Sequence, residues 1–186
     1  GGHKYTLGVL VQCNYNWDGD DLRLGGRQVD HLLPVGRHCY TDRSIARHND
    51  WYPYCDDAGG AATPGPTRDG SIIVIVATDA PLLPHQLARV AKRPSLALGR
   101  LGAVSTAGSG DIFVAFSTAN RDGIDEAEFS EVSVFPNNAL TAVFTVTVQA
   151  TEEAIVNAMA AAETVVGASG FRVEAMPGEQ VRALFR

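Results

Sequence analysis

Alternation of apolar and polar positions divides the chain into segments of different period. Residues 5–13 (YTLGVLVQC) are rich in apolar and β-branched side chains and predict a strand running into the polar stretch NYNWDGDD. Residues 22–29 (LRLGGRQV) set Gly25 and Gly26 between two short extended pieces, a hairpin pattern. Residues 71–77 (SIIVIVA) are an unbroken aliphatic run behind a serine, as in a strand buried on both faces. Pro81 and Pro84 then open a helix carried by HQLARVAKR, and Pro94 marks its break. After the glycine-rich turn LGAVSTAGSG, the run DIFVAFST predicts a second buried strand. Over residues 139–166 the stretch TAVFTVTV is strand-like in composition. Its apolar positions Leu140, Phe144, Val148, Ile155, Met159, Ala162 and Val166 nevertheless recur at helical spacing, and EEAIVNAMAAAE is a strong helix former. One long helix is therefore predicted there, its apolar stripe covering a sheet face. The tail RVEAMPGEQVRALFR adds a short extended piece and a last helical turn or two.

Residues 36–68 keep neither period, and their second half is dense in Gly and Pro, so they read as a long solvated surface loop. The loop carries His38, Cys39, His48 and Cys55, which are metal-ligand types without the paired Cys spacing of a zinc site. A Cys39–Cys55 disulfide is the alternative use of the two thiols in an oxidising compartment. Cys13, inside the first strand pattern, reads as a small core hydrophobe.

Composition narrows the function classes. With 186 residues, 45% hydrophobic and 19% charged, the chain has the apolar material for a globular core. Its formal charge of -6 argues against non-specific nucleic-acid binding, which needs a basic face to neutralise phosphates. The longest uninterrupted apolar run, residues 72–77, is too short to span a bilayer, so no membrane partner is expected and the chain reads as soluble. A small-molecule or peptide partner fits better.

The candidate chemistry lies at Gly70-Ser71. A serine hydroxyl can attack the carbonyl of the residue before it, and hydrolysis of the resulting ester leaves serine at a new N-terminus; glycine before it minimises obstruction. The freed α-amine, with an unperturbed pKa of about 7.7–8.0, can then serve as general base without a histidine. On local sequence alone, a turn residue ending a loop is the stronger explanation of Gly-Ser. Asn14 is also open to reading as a turn residue, and a Ser-Gly-Asp turn before a strand, as at Ser109-Gly110-Asp111, is more often structural. Asp79 reads as a helix-start cap and His85 as a packed or exposed histidine.

Taken in order, GVLVQCNYN, DGSIIVIVATDAPLLPHQLARVAKR, GSGDIFVAFSTAN and TEEAIVNAMAAAE resemble the self-processing L-aminopeptidase/D-esterase family, which includes the β-peptidyl aminopeptidases. The resemblance covers nearly the whole chain except residues 36–68. It implies an α/β (α+β type) fold, the four-layer αββα sandwich of N-terminal-nucleophile hydrolases, incomplete in this chain. It also implies autoproteolysis between Gly70 and Ser71, with Ser71 as nucleophile and Asn14 as a side-chain donor to the oxyanion hole. Such a donor is commonly worth about 2.7–4 kcal/mol at the transition state. Ser109 and Asp111 match the family's Ser/acid pair, with the implied role of orienting the Ser71 hydroxyl and amine.

The expected organisation is a single domain over residues 1–186, itself part of a longer protein. Residues 1–70 would close the α-chain and residues 71–186 form the β-chain. The expected function is an N-terminal-serine aminopeptidase, amidase or esterase acting on small peptides, amino-acid amides or esters, without cofactor or metal. The αβ unit is expected to form a homo-oligomer, in the cytoplasm, or in the periplasm if a signal precedes these residues. The alternatives are a self-processing acyltransferase of the ornithine acetyltransferase kind, whose nucleophile is normally threonine, and an inactive binding homologue. The stretch before Ser71 is shorter than a family α-chain, so the family's substrate-binding tyrosine has no counterpart to point to, and the loop before Arg68 is enlarged.

Overall fold

The computed structural model describes residues 3–14, 21–29, 32, 39–48, 54–55, 70–121 and 131–186. Its organising element is a mixed three-stranded sheet. Strand β1 (Leu7–Asn14) runs antiparallel to β5 (Ser71–Thr78), which occupies the centre, and β5 runs parallel to β6 (Ile112–Ser117). A parallel neighbour requires a crossover. Here it is built from two helices, α2 (Pro84–Val90) and α3 (Pro94–Arg100). The first ends at Val90, and Pro94 starts the second, standing at its first turn where a missing N–H costs nothing.

Asp79 does not cap α2. Its carboxylate accepts from the Thr6 N–H at 2.6 Å and so anchors the start of β1. The helix start is completed instead by Gln86, which is fully buried: its Oε1 accepts from Leu83 N at 3.0 Å, and its Nε2 donates to Phe135 O and Asn137 Oδ1, both at 2.9 Å. A buried amide with each polar atom engaged is tolerated in a core. His85 is exposed.

The pleat sorts the sheet residues onto two unlike faces. Ile72, Val74 and Val76 of β5, with Val9, Val11 and Cys13 of β1 and Phe113 and Ala115 of β6, join the core. There they lie beneath the helices, joined by Leu82, Val90, Leu98, Leu140 and Ile155. Burial pushes the Cys13 thiol above its ordinary pKa, keeping it protonated, as expected of a small core hydrophobe. The opposite face carries Leu10 (67% exposed), Ile73, Ile112 (53%), Val114 and Phe116. The aliphatic run of β5 was read as buried on both faces; among the described residues only one face is covered.

Helix α4 (Leu140–Ala161) lies across β1 and against α3. Its buried line runs through Leu140, Thr147, Thr151 and Ile155, so two threonines stand where an apolar stripe was predicted. They are admitted because each hydroxyl donates back along the helix, Thr147 to Val143 O and Thr151 to Thr147 O, both at 2.7 Å. By length and hydropathy, residues 137–161 would suffice to cross a membrane, but here the helix packs on the sheet. It ends at Ala161, short of the predicted Val166. Ala162 turns to extended backbone, and Val165–Val166 becomes strand β7.

The predicted hairpin forms from β2 (Arg23–Leu24) and β3 (Arg27–Gln28), with Gly25 and Gly26 both at positive φ, as its tight turn demands. Of the expected solvated loop, residues 39–48 and 54–55 are described, and these carry regular structure. Within it, β4 (Cys39–Tyr40) pairs with β8 (Phe171–Val173), which in turn pairs with β7. Thr41 N donates to Gly170 O at 2.8 Å. Helix α1 (Arg43–Ala46) follows, capped by Asp42, whose carboxyl is held below its usual pKa by the side chain and N–H of Ser44. A terminal helix α5 (Gly178–Ala183) completes the chain.

Cys39 and Cys55 form a disulfide, with Cα atoms 5.1 Å apart, so neither is a thiol free to bind metal. His48, exposed in the turn after α1, sets its Nδ1 2.8 Å from Ser44 O, and His38 lies outside the described residues. The bridge ties Cys55 to the strand that docks on β8, beside a Tyr40–Tyr54 β-bridge and the Arg43 guanidinium 4.4 Å above the Tyr54 ring. Replacing Cys39 and Cys55 by serine in the full-length protein should cost about 3 kcal/mol, the loop-entropy value for a closure of this size. Urea unfolding with and without reductant checks this: reduced wild type and the double variant should coincide, below oxidised wild type.

Candidate functional site

The sheet register assembles the site. Asn14, the last residue of β1, pairs with Ser71, the first of β5. Directly opposed residues of an antiparallel pair share a face, with Cβ atoms about 4.5–5.5 Å apart. Asn14 and Ser71 thus stand together at one end of the sheet, on the face that the helices leave open. Ser71 is half-buried and Asn14 exposed.

The third component arrives through the parallel pairing. Because Ile73 pairs with Ile112, the residue before β6 is delivered next to Ile72, and Asp111 Oδ1 accepts from Ile72 N at 3.2 Å. The same oxygen accepts from Ser109 Oγ at 2.7 Å, while Oδ2 accepts from Ser105 Oγ at 3.2 Å. The carboxylate is therefore held by donors from the crossover turn and from the strand that Ser71 begins.

The hydrogen bond on the Ser71 hydroxyl comes from the residue between Ser109 and Asp111. Gly110 N donates to Ser71 Oγ at 3.0 Å. A Cβ at position 110 would stand 3.3 Å from that oxygen, inside normal contact, so glycine lets the backbone approach the hydroxyl. Sequence reading singled out Ser109 and Asp111 as partners of Ser71. The structure brings both into the cluster, with Ser109 on Asp111 and Asp111 on the neighbouring N–H. Gly110 and Ser105 were missed as contributors. A backbone donor has no side-chain signal, and one serine in AVSTAGSG looks like another until the loop closes.

This arrangement can do specific chemistry. A hydroxyl fixed at a strand end, with an N–H donating to its oxygen, is held in one orientation and its deprotonated form is stabilised. An anionic carboxylate near the Ser71 main chain would favour a positive charge there. No group of three or more His, Cys, Asp or Glu side chains suited to a metal occurs among the described residues. The groove between the outer edge of β1 and α4, lined by Leu10, Glu153, Ala154 and Asn157 among others, involves none of the Ser71 cluster.

Comparison with known proteins agrees with this fold. Residues 1–173 match the family model described as peptidase family S58. The chain is 42% identical over its whole length to the β-peptidyl aminopeptidase BapA of Sphingosinicella microcystinivorans and 35% identical to that of Sphingosinicella xenopeptidilytica. It spans 44% and 43% of those relatives, less than half of each. Among solved structures, the L-aminopeptidase D-Ala-esterase/amidase of Ochrobactrum anthropi, described as a variant of the Ntn hydrolase fold, superposes with a TM-score of 0.72 at 34% identity. That match covers 100% of this chain and 44% of the other. A β-aminopeptidase from Burkholderia gives 0.68 at 35% identity, covering 97% and 44%. The α/β architecture here is thus that of part of an Ntn-hydrolase fold, and by sequence and structure alike the chain belongs to peptidase family S58.

Proposed function

We propose that the protein containing this chain is a self-activating N-terminal-serine aminopeptidase that releases N-terminal residues from small peptides, amino-acid amides or esters. The observation that carries this reading is the Ser71 hydroxyl at the start of the central strand, with the Gly110 N–H 3.0 Å from its oxygen. The Asp111 carboxylate on the adjacent N–H supports it.

In the activating step, Ser71 Oγ attacks the Gly70 carbonyl carbon. The C–N bond to Ser71 then breaks, the hydroxyl proton passes to the leaving nitrogen, and an ester joins Gly70 to Ser71 Oγ. Water hydrolyses that ester, leaving a Gly70 carboxylate and a Ser71 that bears both hydroxyl and free α-amine. In turnover the neutral amine takes the hydroxyl proton as Oγ attacks the substrate carbonyl. Asn14 is the candidate donor to the oxyanion, the Gly110 N–H holds the Ser71 hydroxyl, Ser109 steadies Asp111, and Asp111 favours the ammonium form of the amine. The scissile bond then breaks as the ammonium passes that proton to the leaving amine or alcohol, and water hydrolyses the acyl ester on Ser71 Oγ to free the acyl group and regenerate the hydroxyl.

Two ladders cross the cleavage point and would keep the pieces together. The eight-residue β1–β5 pairing joins residues before and after Ser71, and β4 pairs with β8. The Cys39–Cys55 disulfide favours maturation in an oxidising compartment, the periplasmic rather than the cytoplasmic alternative.

Intact-mass measurement of the full-length protein should give two pieces, the later beginning at Ser71, whereas Ser71→Ala should stay in one piece and be inert. An active enzyme that remains uncut would end the self-cleavage reading. Gly110→Ala should lower kcat on an amino-acyl p-nitroanilide by about 10- to 100-fold with KM little changed, since the new methyl displaces the nucleophile rather than the substrate. The rate constant kcat/KM should rise with pH as the Ser71 amine loses its proton. Asp111→Asn removes the charge that stabilises the ammonium, so the ascending limb should move to lower pH, by about one unit. A limb unmoved by Asp111→Asn in confirmed cleaved enzyme would remove the amine–aspartate pairing.

A further inference from the structure

We infer that Ser105 is a positioning residue for the Asp111 carboxylate, an inference that rests on the serine-aminopeptidase reading of this site. Ser105 belongs to the exposed turn between α3 and β6 and sits at φ 49°, in the left-handed region that favours glycine and disfavours a side chain. A residue with a Cβ at such a position is explained by what the side chain does. Its hydroxyl donates to Asp111 Oδ2 at 3.2 Å.

Among the described residues that is the one hydrogen bond made to this oxygen, whereas Oδ1 receives both Ser109 Oγ at 2.7 Å and Ile72 N at 3.2 Å. The terminal torsion of an aspartate is broad and roughly two-fold, so donors gathered on one oxygen leave the carboxylate free to swing about it. A donor on the second oxygen stops the swing. Ser105 therefore fixes the plane of the carboxylate and hence the direction of its charge toward the Ser71 main chain. It acts through Asp111, and its effect should vanish when Asp111 loses its charge.

The test uses full-length, cleaved enzyme and four variants. Ser105→Ala removes the hydroxyl and keeps the backbone demand; Ser105→Gly removes the hydroxyl and relieves that demand. Ser105→Asn keeps a donor in a residue that tolerates left-handed backbone. Asp111→Asn supplies the second arm of a double-mutant cycle. Ser105→Ala and Ser105→Gly should each lower kcat/KM on an amino-acyl p-nitroanilide by about three- to ten-fold, through kcat, as for loss of a partly solvated hydrogen bond to a charged group. Ser105→Asn should recover most of the loss, and adding Ser105→Ala to Asp111→Asn should change nothing further. Wild-type rates from Ser105→Gly, which would mark a purely conformational turn, overturn the assignment. So does an effect of Ser105→Ala that persists undiminished beside Asp111→Asn.

Crystals of uncleaved Ser71→Ala, with and without Ser105→Ala, read the contact independently of activity. The double variant should show Asp111 rotated or in two orientations, and an unmoved carboxylate overturns the inference. A cleaved wild type inert on p-nitroanilides, amides and esters would instead fell the aminopeptidase reading, leaving the crystal comparison to judge the Ser105 contact.

Discussion

The pairing register of one strand with its two neighbours is the constraint on which the site depends. Because side chains alternate with a period of two, slipping β1 against β5 by one residue would carry Asn14 off the face it shares with Ser71 and turn Val9, Val11 and Cys13 out of the core. The parallel pairing with β6 works the same way for Asp111, whose distance from Ile72 N follows from the match of Ile73 to Ile112. Core packing and candidate chemistry are thus set by one variable. The helices enforce it by burying the opposite face, with Ile72, Val74 and Val76 beneath Leu140 and Ile155.

The two faces of the sheet do different work. One is covered by α2, α3 and α4, which hold β5 in place. The other leaves Leu10, Ile112, Val114 and Phe116 bare among the described residues, and Ser71 and Asn14 belong to its end. An apolar sheet face normally packs on a second layer, and a four-layer αββα sandwich supplies one from another sheet. Ser71 and Asn14 thus lie at the end of the face on which such a second sheet would pack.

Docking of β4 on β8 adds a second attachment between the parts of the chain that flank Gly70-Ser71. It is clamped by the Cys39–Cys55 bridge, which closes 16 residues of chain around α1. The disulfide constrains the unfolded chain more than it shapes the folded one. The strand pairing, the Tyr40–Phe171 ring contact and the Thr41–Gly170 hydrogen bond make the docking itself.

Local chemistry by itself determined much of this. Aliphatic runs specified β1, β5 and β6, prolines marked where helices start, glycines at 25 and 26 specified the hairpin, and helical spacing overrode the strand-like composition of TAVFTVTV. These are short-range effects, set by backbone sterics and by the period of burial. Gly70-Ser71 was legible as a candidate from its own chemistry, and Asn14, Ser109 and Asp111 only through the family resemblance. What they touch was not, because contacts between residues 71 and 110 or 105 and 111 depend on how the chain closes. Only the tertiary structure put the Gly110 N–H on the Ser71 hydroxyl, moved Asp79 from helix cap to strand anchor, buried Thr147 and Thr151 in an apolar stripe, and joined Cys39 to Cys55. A backbone donor, a rerouted carboxylate and a side chain satisfied along its own helix leave no mark on hydrophobic periodicity, which records which residues are buried and not which atoms meet.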